Sequence, residues 1–163
     1  MKTNKENEKE ITYEDAMVLN EAIGTLLMTS PTMKGKLVFN LNRVQGKLKS
    51  VSSKIQKAEQ DILKKHVELD KKGDFVLEDF TEDEMKTGMI PPGVKGKYKY
   101  LKGEEGQKAA SDDMTKFLQK KIKVELRPIQ QHDFDVLDIN TVRNPNIGAV
   151  IEHLVQESEM NVV

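Results

Sequence analysis

The chain contains no cysteine and no tryptophan, and only 3 tyrosines and 5 phenylalanines among its 163 residues. The missing cysteine excludes disulfides, thiolate metal sites and cysteine nucleophiles. No apolar run approaches the ~18 residues that a membrane span requires, and the lysine- and glutamate-rich start does not read as a signal peptide. An excess of one charge is missing too. Lys and Arg number 26 against 27 Asp and Glu, a net of -1, so no global field draws the whole molecule to nucleic acid or membrane. What is abundant is charge of both signs, at 33% of residues against roughly 25% in an ordinary domain. The length fits one domain with a real core.

The hydrophobic pattern predicts an α+β domain over 12–163, mostly helical, with residues 1–11 as a flexible charged tail. Thr12 can cap a first helix with Asp15 at its third position, and Ala16, Leu19, Ile23 and Leu26 share one face. Ser30-Pro31 ends it. A second helix spans about Lys34 to Leu69. In this helix, roughly 50 Å long, Leu37, Leu41, Val44, Leu48, Val51, Ile55, Ala58 and Ile62 recur in steps of 4 and 3 as a heptad seam. Lys71-Lys72-Gly73 is read as its stop. The e and g positions lack complementary charge pairs. The seam is therefore expected to pack on this chain's own shorter helices rather than on a second copy, which stays the alternative.

After Gly73 the period changes. Asp74–Leu77 and Lys97–Leu101 read as strands of a small two- or three-stranded sheet, with a mobile loop near 78–96 between them. A helix carrying Ala110, Met114, Phe117 and Leu118 follows. Ile122, Val124 and Leu126 then alternate with charged residues as a strand closed by Pro128, and a last helix opens at Asn144-Pro145 with Ile147, Val150, Ile151 and Leu154 on its apolar face.

Reactive constellations are sparse. Gly88 to Lys95 imitates the glycine spacing of a phosphate loop, but Val94 displaces the lysine and two prolines remove N–H donors. Asp133 to Asn140 imitates a calcium loop without the glycine or the bidentate glutamate, so turn-forming carboxylates are the reading. His66, His132 and His153 share no metal-ligand spacing. No cofactor, metal or catalytic residue is assigned, and a non-enzymatic role is expected.

The charge map is uneven. Residues 34–58 hold seven cations and no acid, and Lys36, Arg43, Lys47, Lys54 and Lys57 line one side of the long helix as a basic stripe. Such a face is often only solvated; otherwise it meets either protein carboxylates, including the acidic 74–84 segment of a neighbouring copy, or phosphates. The second expected partner site is the loop, where Met89, Ile90, Pro91, Pro92 and Val94 put apolar area on a connection that ought to be polar.

The order of elements resembles a family of small tailed-bacteriophage proteins of unknown function. The matching stretches are Leu26 to Leu69, Lys97 to Leu101 and, above all, Phe117-Leu118-Gln119-Lys120-Lys121-Ile122-Lys123-Val124-Glu125-Leu126. The segment from Glu78 to Gly96 is longer than the family pattern. The resemblance implies a viral context, with the host-cell cytoplasm and the virion as its places, and no established activity. The expectation is a protein-interaction component of the virion, its assembly or host contact, binding a protein partner (other copies of itself included). A nucleic-acid-associated accessory protein using the basic stripe is the alternative.

Overall fold

The computed structural model describes residues 7–29, 35–130 and 147–156. In chain order the elements are β1 (Glu8–Thr12), α1 (Tyr13–Thr29), α2 (Gly35–His66), β2 (Leu77–Glu78), α3 (Glu82–Lys86), β3 (Lys97–Tyr98), α4 (Gly103–Leu118), β4 (Lys121–Glu125), β5 (Ile129–Gln130), α5 (Ile147–Leu154) and β6 (Val155–Gln156). The fold is α+β and mostly helical, with one long helix and small sheets. No helix among the described residues is long and apolar enough to cross a membrane. The chain divides into two compact units: Met1–Ile55 with Leu118–Val163, and Gln56–Phe117.

The first unit holds most of the core. Thr12 caps α1 as its sequence suggests: the Asp15 N–H donates to Thr12 Oγ1 at 3.0 Å, and the Thr12 N–H donates to Asp15 Oδ2 at 3.2 Å. Ala16, Leu19, Ile23 and Leu26 are then buried on one face of α1, as are Leu37, Leu41, Val44, Leu48, Val51 and Ile55 on α2. The seam is therefore filled within one chain. α1 also packs against α5, which buries Val150 and Leu154. Asn144-Pro145 and the Asp133–Asn140 stretch lie outside the described residues, as does His132.

Residues 8–11 are not a tail. β1 pairs antiparallel with β4, with Ile11 opposite Ile122 and Lys9 opposite Val124. Ile11 and Val124 are buried, while the other face carries Glu8, Glu10, Lys121, Lys123 and Glu125. One inward isoleucine and a partner strand suffice to order a segment that looks too polar alone. Lys9 Nζ additionally donates to the His153 carbonyl, in the last turn of α5, at 2.7 Å.

The second unit is small and thinly cored: Leu63, Val67 and Ala110 are its buried apolar residues. On α2 burial moves from Ile55 to Leu63, and Val67 just past its end is buried too, while Ala58 and Ile62 are only half-buried. An α-helix drifts about 20° per heptad against a 3.5 repeat, and here the buried face follows the helix rather than the repeat. α2 stops at His66, and residues 67–70 run extended. The 71–73 turn then links them to 74–78, with Gly73 at φ 87 and its N–H donating to the Asp70 carbonyl at 3.0 Å. Lys71-Lys72-Gly73 thus closes a hairpin, not the helix.

Three short segments meet in this unit. The Val76 N–H donates to Glu68 O at 2.8 Å, Glu68 N–H to Lys99 O at 2.8 Å, and Lys99 N–H to Val76 O at 3.0 Å. Each segment bonds both others, so the three backbones close on themselves. The 78–96 connection, expected as a loop, contains α3 with a full capping box between Thr81 and Glu84. Its Pro91 carbonyl accepts from the Val94 N–H at 3.3 Å, with Gly93 at φ 84. That is a β-turn with proline then positive-φ glycine at its centre, the type II pattern. Gly93, the second glycine of the Gly88–Lys95 stretch, serves this turn.

Candidate functional sites

Two surface features stand out, one in each unit. In the second unit Phe75, Leu77, Phe80, Val94, Tyr98 and Tyr100 line a cleft of about 630 Å³, with Lys95, Gly96, Lys97 and Gln107 completing it. The size lies within the range of ligand-binding clefts. Gly96 makes the hairpin close: a Cβ there would stand 2.8 Å from the Glu78 carbonyl oxygen. The Phe75 and Tyr98 rings meet edge to face at 5.4 Å, and Leu77 lies opposite Tyr98 across β2 and β3. Leu77, Val94 and Tyr98 remain exposed, as do Leu69, Met85, Met89 and Leu101 around the same unit. Burial pushes the Tyr100 phenol up, with a smaller effect from Tyr98. Lys97 is committed elsewhere: it donates to Glu84 Oε1 at 2.8 Å and holds that carboxyl below its ordinary range. Glu84 in turn raises Lys97.

Of the expected loop residues, only Val94 lines the cleft. Met89 is 86% exposed, Ile90 is half-buried, and Pro91 and Pro92 are exposed on the turn. The aromatic lining was not identified as a site from sequence, because Phe75, Phe80, Tyr98 and Tyr100 are brought together only by the three-way closure.

In the first unit the basic stripe is partly a groove. Lys47, Ser50, Val51 and Lys54 of α2 face Ile122, Lys123, Val124 and Glu125 of β4, with Tyr13 at one end, around about 190 Å³. Lys47 Nζ lies 3.1 Å from Glu125 Oε2. This hydrogen bond and its charge lower the Glu125 carboxyl against partial burial, and Arg43 and Arg127 lower it further. Lys36 is exposed on the first turn of α2. Lys57 is exposed and belongs to the second unit, outside the groove. The structure therefore gathers Arg43, Lys47 and Lys54 of the expected five, and adds Lys123 and Arg127.

A further pair ties the end of α2 to α4: His66 Nε2 lies 2.7 Å from Asp113 Oδ2. That bond, aided by Lys65 at 3.5 Å, holds Asp113 below its ordinary range despite desolvation. Among the described residues no cluster of three or more His, Cys, Asp or Glu side chains is placed to hold a metal. No family model, curated protein or solved structure matches the chain.

Proposed function

We propose that this protein is a non-enzymatic interaction component whose partner is a protein, and that the contact is made by the aromatic cleft of the second unit. The observation that carries this reading is the cleft's exposed apolar lining, on a unit whose own core is Leu63, Val67 and Ala110. Contiguous exposed apolar surface marks interaction sites, and Tyr and Phe are enriched in them. The place of that contact in a phage-type virion, its assembly or its dealings with the host rests on the resemblance of the sequence alone.

A photo-crosslinking side chain at Leu77 or Val94, irradiated in the producing cell, tests the reading. The proposed function requires a discrete protein adduct at both positions that is absent from a control position such as Lys71. Adducts to nucleic acid, or none from either position, contradict it.

The second reading, a nucleic-acid-associated accessory protein, is favoured by one observation: three cations, Arg43, Lys47 and Arg127, act on the Glu125 carboxyl, and Lys54 and Lys123 line the groove beside it.

A further inference from the structure

The basic groove and the acidic start of α3 are complementary, and they belong to different units of one chain. Arg43, Lys47 and Arg127 act on the Glu125 carboxyl, while Lys47, Lys54 and Lys123 line the groove beside it. On β1, Glu8 lies opposite Glu125 and Glu10 opposite Lys123, with Glu10 also 3.5 Å from Lys121. Counting both acids still leaves an excess of positive charge. Among the described residues, Lys47 alone of these cations is paired directly with a carboxylate.

The acidic counterpart is short and held in shape. Asp79, Glu82 and Asp83 are all exposed, while Glu78 and Glu84 lean on Lys97. The Thr81–Glu84 capping box fixes the first turn of α3, and Phe80 is seated in the aromatic cleft wall. A segment ordered before contact loses less entropy when it docks.

We infer that the α2–β4 groove receives the Asp79–Asp83 segment of a second copy of this chain. The contact is heterologous, with different surfaces meeting, so it propagates from copy to copy into a ring or an open filament. A short acidic segment fits this groove better than a duplex does. Lys47, Lys54 and Lys123 line a space of about 190 Å³ rather than tracking a backbone, and Lys57 is not among them. The contact uses the acidic side chains beside the apolar cleft, with Phe80 the one residue of the segment that also lines it, so substitutions at Leu77 or Tyr98 that keep the fold leave the charge-driven contact standing, whatever becomes of the cleft reading.

Sedimentation velocity with charge-swapped variants tests the inference. The wild-type chain should associate with rising concentration at low ionic strength and disperse near 1 M salt, where the Debye length falls to about 3 Å. Lys54→Glu/Lys123→Glu should be monomeric alone, and so should Asp79→Lys/Glu82→Lys. Mixed in equal amounts, the two should assemble again, because each then presents what the other lacks. Circular dichroism of each variant confirms folding, and Asp79→Asn/Glu82→Gln provides a milder second route to the same loss. A wild-type chain that stays monomeric at low salt overturns the inference. So does association that both reversals leave unchanged, or a mixture that fails to assemble. Saturation of the groove by duplex DNA at physiological salt with the protein still monomeric overturns it in favour of phosphate binding.

Discussion

Lys47 on α2 and Glu125 on β4 lie 3.1 Å apart, an ion pair between two stretches separated by nearly half of the chain. The pair explains why a stripe that looks continuous in sequence is interrupted in space. One of its cations is engaged with the strand, while Lys54 beside it lines the groove.

The same pair makes a prediction about acid. Glu125 has a lowered folded-state pKa, first through the Lys47 hydrogen bond and then through Lys47's charge. A depressed carboxylate adds stability that is fully present above its unfolded pKa, about 4.3 for glutamate. That stability is lost as pH falls through the lowered folded value. Carbon-detected NMR titration should find Glu125 titrating below an ordinary glutamate, and Lys47→Met should move it back upward. An unchanged Glu125 titration in Lys47→Met would show that the pair is absent in solution.

Leu48 is fully buried on α2. Leu48→Ala should cost about 2–5 kcal/mol by removing packed methyl groups. Leu48→Asp should abolish cooperative unfolding by placing an unpaired charge in the core. Thermal melts followed by circular dichroism check both. A folded, merely dissociated Leu48→Asp would mean that the seam is an interface between copies.

Two glycines should respond in opposite directions. Gly46 lies within α2 with nothing within 4 Å of where a Cβ would stand, so Gly46→Ala should stabilise by up to about 1 kcal/mol. Gly96→Ala would drive a methyl group against the Glu78 carbonyl at 2.8 Å, and should open the β2–β3 pairing. Denaturant unfolding measures the first. Amide exchange at Glu78 and Lys97, the hydrogen-bonded pair of β2 and β3, measures the second, with unaltered exchange counting against the close approach.

The helices were legible because their signals are local. Thr12 with Asp15 announces a cap within four residues, and the α2 seam repeats often enough to survive its drift near Leu63. The strands were legible only where alternation ran long, as in Ile122-Lys123-Val124. Glu8-Lys9-Glu10-Ile11 carries one inward side chain and owes its strand to a partner more than 100 residues away. The 67–70 segment continues the helical pattern in sequence, yet tertiary hydrogen bonds to Val76 and Lys99 hold it extended. Sites followed the same division. Lys47 and Lys54 could be read from helix periodicity, whereas Lys123, Arg127 and the aromatic cleft depend on which distant elements meet.

Binding to duplex DNA across a salt series tests most directly the claim that this protein meets protein rather than nucleic acid. Five phosphate contacts, through Arg43, Lys47, Lys54, Lys123 and Arg127, would give a log–log salt slope of about -4.5. The account predicts weak binding at low salt that vanishes near 0.15 M, about physiological ionic strength. Tight binding at that salt, with the slope reduced by nearly two in Lys47→Gln/Lys54→Gln, would contradict it.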